Sequence, residues 1–175
     1  MQLLFDAYIA IRDFMELGGP VLNAIALTIL VMWILIVERV LYFRGEHKRL
    51  FAVAREAWEG RQERRSWHAH QVREAMVSRL KLSANGPIPL IKTLVALCPL
   101  LGLMGTVTGM IEVFDVLALS GTGNARSMAA GVSRATIPTM AGMVGALSGL
   151  FAATLLARTA SREVERLDEN LTLDH

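Results

Sequence analysis

Three stretches without a single charged residue govern what this chain can become. They cover residues 17–37, 93–111 and 135–157, lengths of 21, 19 and 23 residues. As helices rising about 1.5 Å per residue, each is long enough to cross the roughly 30 Å hydrocarbon core of a bilayer. Runs of that length exceed what a small aqueous core would hold. Composition agrees: 53% of the residues are hydrophobic and only 19% charged, below the roughly 25% of an ordinary soluble domain. An all-α, polytopic membrane protein with three transmembrane helices is expected.

Turn formers punctuate the runs. Gly18, Gly19 and Pro20 stand at the start of the first, Asn85, Gly86, Pro87 and Pro89 precede the second, and Ser120 to Asn124 separate the second from the third. The chain then divides into an interfacial amphipathic helix (1–16), a first transmembrane helix (17–43), a long helical loop (44–89), a second transmembrane helix (90–118), a short turn (119–127), a third transmembrane helix (128–157) and a helical tail (158–175). The opening residues carry no basic stretch ahead of an apolar one, so no cleavable signal peptide is expected there.

Charge sets the expected orientation. The segment 44–92 carries 11 of the 18 basic residues, and Arg158, Arg162 and Arg166 follow the third run. Basic loops stay in the cytoplasm, so the long loop and the C-terminus face inward, and the N-terminus and short turn face outward. A net charge of +2 is too small to suggest nucleic acid. Leu4, Tyr8, Ile11 and Met15 share a helical face ahead of the first span. In the loop, Phe51, Ala54 and Trp58 form one face and Val72, Met76 and Leu80 another, with a break at Gly60 and residues 61–65. Past Arg158, the spacing of Val164, Leu167 and Leu171 predicts that the third helix continues beyond the membrane as an amphipathic rod.

Small residues line two of the spans. Gly102, Gly105 and Gly109 recur at three- and four-residue steps in the second, and Gly142, Gly145 and Gly149 repeat that spacing in the third. Such faces let helix backbones approach closely in lipid, where burial of apolar side chains drives little association. Packing of the second span on the third accounts for most of them, and self-association is the other use. Pro138 removes a backbone N–H from the third span and predicts a kinked, locally hydrated patch beside Thr139.

Ionisable groups are few. Glu38 and Arg39 end the first span at its interface, Glu112 and Asp115 end the second, and Arg134 lies at the head of the third. Arg134 has two readings: a side chain that snorkels outward or pairs with Glu112, or an electrostatic element near a pore mouth. The single cysteine, Cys98, allows no internal disulfide and reads as a small buried hydrophobe. His68 and His70, two residues apart, point to different helix faces and make no metal site. No cofactor and no nucleophile motif is found, so no enzymatic activity is expected.

Two segments carry a resemblance. CPLLGLMGTVTGM at 98–110 and GVSRATIPTMAGM at 131–143, with three spans and a long inner loop, resemble the ExbB/TolQ/MotA proton-channel family, and within it the short ExbB form of auxiliary TonB systems. The resemblance implies a ring of copies of the chain, generally pictured as a pentamer, in the inner membrane of a Gram-negative bacterium. It implies an ExbD-like partner with one span and an intramembrane Asp inside the ring. It also implies a TonB-like protein driven by the proton-motive force to energise uptake of iron siderophores and similar nutrients. The family's pore-lining threonines correspond to Thr106 and Thr139. Where many family members have a Glu five residues before the second of these, this chain has Arg134, so a titrating carboxylate would come from the partner. A TolQ-like role in envelope maintenance and a non-conducting scaffold for the partners are the alternatives; a MotA-like role in flagellar rotation fits poorly, as MotA typically has four spans and a larger cytoplasmic domain.

Overall fold

The computed structural model describes residues 2–45, 52–53, 56, 58, 60, 66–120 and 125–170. Among these there is no strand. Four long helices follow one another: α1 (Gln2–Arg44), α2 (Trp67–Asn85), α3 (Ile88–Ser120) and α4 (Ala125–Asn170). Three stretches of helix are long and apolar enough to cross a membrane. The protein is a multi-pass, all-helical membrane protein, as its charge-free runs require.

Local chemistry explains the helix ends. In α1 the backbone breaks at Gly19, with φ 64° and ψ −161°. A side chain would be strained at that φ, and Pro20 follows with no N–H to give. Helix α2 starts at Ser66, whose hydroxyl accepts from the Ala69 amide at 3.3 Å. It ends where Gly86 and Pro87 intervene. Pro87 and Pro89 stand at the head of α3, where their missing N–H groups cost that helix no bond of its own, and the Ile91 amide closes on the Pro87 carbonyl at 2.9 Å. Residues 121–124 of the turn and residue 171 of the tail lie outside the described residues, as do Phe51, Ala54, residues 61–65 and the side chains of Leu4, Tyr8, Ile11 and Leu167.

The chain forms two compact units. One comprises Met1–Trp33 with Thr93–Leu150; the other comprises Ile34–Lys92 with Phe151–His175. The first is built from the runs of small and branched residues in α1, α3 and α4. Its buried side chains include Leu22, Ile25, Met32, Val95, Cys98 and Ala135. In the second, Trp58 is 2% exposed and packs with Ala69 and Leu80, flanked by Met76 and Val77. The two faces expected in the loop therefore contribute to one core. Arg39, at the end of the first span, is 3% exposed in this unit, while its neighbour Glu38 is exposed.

Candidate functional site

The two motif segments meet in the first unit, glycine against backbone. A Cβ on Gly102 would stand 3.0 Å from the Thr139 Cα, and one on Gly109 would stand 2.7 Å from the Ala135 Cα. One on Gly142 would reach the Cys98 carbonyl oxygen at 2.5 Å. Gly105 receives the Pro138 ring, with its Cγ 2.8 Å from the Cβ position. Gly131 receives the Val113 side chain and extends the same seam by one turn. The six glycines singled out from spacing do not all serve the same contact. Gly145 takes the end of the Ile29 side chain from α1, and Gly149 takes Met32 from α1 together with Val95 from α3. Spacing alone cannot separate these two uses, since both need an absent Cβ.

Several hydroxyls in this unit donate to backbone carbonyls. Thr106 donates to the Leu103 carbonyl of its own helix at 2.7 Å. Thr108 donates within α3, Thr136 to Ser133 at 2.8 Å and Ser148 to Gly145 at 2.8 Å within α4. Thr139 differs: its hydroxyl crosses to α3 and donates to the Gly102 carbonyl at 3.1 Å. In a regular α-helix that carbonyl also accepts the Thr106 amide, four residues on. The Thr139 hydroxyl, 33 residues on in the chain, thus bonds to the turn of α3 that leads into Thr106. Both threonines are half-buried.

This geometry limits the chemistry. A threonine hydroxyl does not titrate near neutral pH; it has one proton to donate and lone pairs to accept with. In both residues the proton is committed to a carbonyl. What remains is acceptor capacity, suited to a water molecule or to a protonated carboxyl group. Among the described residues no carboxylate lies within the three charge-free runs. Glu112 and Arg134 are both exposed and form no ion pair with each other. Their backbone levels nonetheless match, because Gly109 abuts Ala135 and Val113 abuts Gly131 on either side of them. Pro138 lies within α4, where its ring fills the notch at Gly105. Cys98 is buried without a disulfide. His68 and His70 are exposed, and the described residues contain no group of three or more metal-binding side chains.

The model of the MotA/TolQ/ExbB proton channel family matches residues 44–169, which takes in both motif segments and the threonine junction. The chain belongs to this family. Among curated proteins it is similar to the biopolymer transport protein ExbB-like 1 of Synechocystis sp., with 40% identity over 79 residues, 43% of this chain and 31% of that relative. It is also similar to the biopolymer transport protein exbB1 of Vibrio cholerae, with 35% identity over 88 residues, 50% of this chain and 39% of the relative. A second Synechocystis protein, ExbB-like 3, shares 29% identity over 99 residues, 51% of this chain and 47% of the relative. Each match takes in less than half the length of the relative. Family membership makes this chain a subunit of the proton-channel type.

Proposed function

We propose that the chain is an inner-membrane subunit that surrounds a single-span, ExbD-like partner as a ring of copies and uses the proton-motive force to drive a TonB-like protein. The work done is uptake of iron siderophores and similar nutrients across the outer membrane. Its N-terminus faces the periplasm and its C-terminus the cytoplasm. Fusion reporters after Arg65 and at His175 are expected to read cytoplasmic, and an insertion between Gly121 and Gly123 periplasmic.

The observation that carries this reading is the bond from the Thr139 hydroxyl across to the Gly102 carbonyl of α3, one turn ahead of Thr106, within segments matched by a proton-channel family. Proton relays in a membrane need an ionisable group along the path, and the three charge-free runs supply no carboxylate. The partner's intramembrane Asp fills that role. Its protonated form donates to a threonine oxygen whose own proton already points elsewhere. Arg134 and Glu112 contribute the charge field at the mouth of the path.

The same hydrogen bonds favour a second reading. Hydroxyls fully engaged with backbone are also what a non-conducting scaffold would have. Reconstitution with the single-span partner in pH-loaded vesicles decides between them. Proton flux that requires both proteins and disappears when the partner's Asp becomes Asn supports the channel. Stable co-purification without flux supports the scaffold.

A further inference from the structure

The carboxyl end of α2 is capped from a distant part of the chain. The last four carbonyls of any α-helix lack an intrahelical donor and need another. Here the Leu82 carbonyl accepts the Gly86 amide at 3.0 Å. One residue earlier, the Asn85 side chain donates to the Lys81 carbonyl at 3.0 Å. The Ser83 carbonyl would look four residues on, to position 87, for its donor. That residue is Pro87, which has no N–H.

Arg39 of α1 takes its place. Its Nη2 donates to the Ser83 carbonyl. The guanidinium lies 4.4 Å from the centre of the Tyr42 ring and 5.1 Å from that of Phe43, a cation held by aromatic faces. The Tyr42 hydroxyl meets the Ser83 hydroxyl, a second bond to the same residue. Gly86 leaves the space the head group occupies: a Cβ there would stand 3.0 Å from Nη2. No carboxylate among the described residues pairs with Arg39, and its Nε has no partner. A buried cation costs free energy unless something specific holds it. What holds it is the negative end of a helix dipole and two ring faces.

We propose that Arg39 is a latch, supplying from α1 the donor that Pro87 cannot, and that it fastens the helical loop to α1 at this point. The loop helix can be let go there without unfolding the membrane spans. This assignment stands whether or not the chain conducts protons.

The test uses the full chain in lipid nanodiscs and hydrogen exchange of the segment 78–86, with 98–110 as the internal reference. Arg39→Met keeps the volume and removes the donor. Exchange in 78–86 is expected to rise roughly tenfold or more, the loss typical of a hydrogen bond to a charged group, with the reference unchanged. Pro87→Ala restores an N–H at the vacant position. In that background Arg39→Met is expected to lose most of its effect. Arg39→Lys, which keeps charge but not the planar fork, gives an intermediate rise that Pro87→Ala also relieves, and it serves if the Met variant fails to accumulate. An equal rise in both backgrounds, or no rise with either substitution, overturns the proposal.

Discussion

The two units solve the same problem with opposite materials. In the first, helices meet where side chains are missing: Gly102, Gly109 and Gly142 lie against the backbone of the facing helix. In the second, large groups do the holding: Trp58 against Leu80, and Arg39 between two aromatic rings and a helix end. Lipid explains the first. Surrounded by hydrocarbon, a buried Leu gains nothing over an exposed one, so close backbone approach and a few hydrogen bonds must supply the association. Where water is the alternative, burying an indole is strongly favourable, and helix ends need donors. The contrast teaches that side-chain size has opposite value in the two units.

Four experiments probe that contrast, from the largest effect down. Gly142→Leu puts a branched side chain where the Cys98 carbonyl stands. Loss of the folded chain from the membrane is expected, read as absence of protein after detergent extraction. Unchanged yield and oligomer pattern would mean the α3–α4 seam is loose. Trp58→Ala removes the largest buried side chain of the second unit, at a cost of about 3–5 kcal/mol. Rapid proteolysis in the loop with all three spans still inserted is the expected result.

The third compares two glycines of one stripe. Gly142→Ala meets rigid backbone and is expected to destabilise by about 1–3 kcal/mol. Gly145→Ala meets the end of the Ile29 side chain, which can move, and should fall well below that. Denaturation midpoints in detergent give the ordering, and equal midpoints would erase the distinction drawn between the two contacts.

The smallest effect separates the threonines. Thr139→Val breaks a bond between helices, worth about 0.5–1.5 kcal/mol. Thr106→Val loses only a bond to its own helix, so its stability should stay within about 0.5 kcal/mol of the parent, as for a neutral surface change. Energised uptake that falls for both variants while stability changes for one alone would assign the pair to the proton path. Full uptake by both would favour the scaffold.

The spans and the glycine seam were legible because their signals are local: absence of charge, and small residues at helical steps. The family motifs lie on that same seam. Three features were not legible, each for a physical reason. Thr139 can bond its own helix or a neighbour with the same residue, so the destination of its hydroxyl depends on packing. Trp58 and Leu80 occupied separate predicted faces, and only folding of the loop merges them. The partner of Arg39 was hidden because the acceptor lies 44 positions away. The clue was Pro87, four residues after Ser83, which leaves a helix carbonyl in want of a donor.

The glycine seam also has a mechanical meaning. With Gly102, Gly109 and Gly142 seated on opposing backbone, α3 and α4 mesh like cogs cut without clearance. A slip of one residue would carry a Cα some 1.5 Å along the axis, into atoms already at van der Waals limits. Between residues 102 and 142 the two helices have no slack to absorb. A push delivered to one must arrive at the other as displacement, which is the stiffness any transmission of force requires.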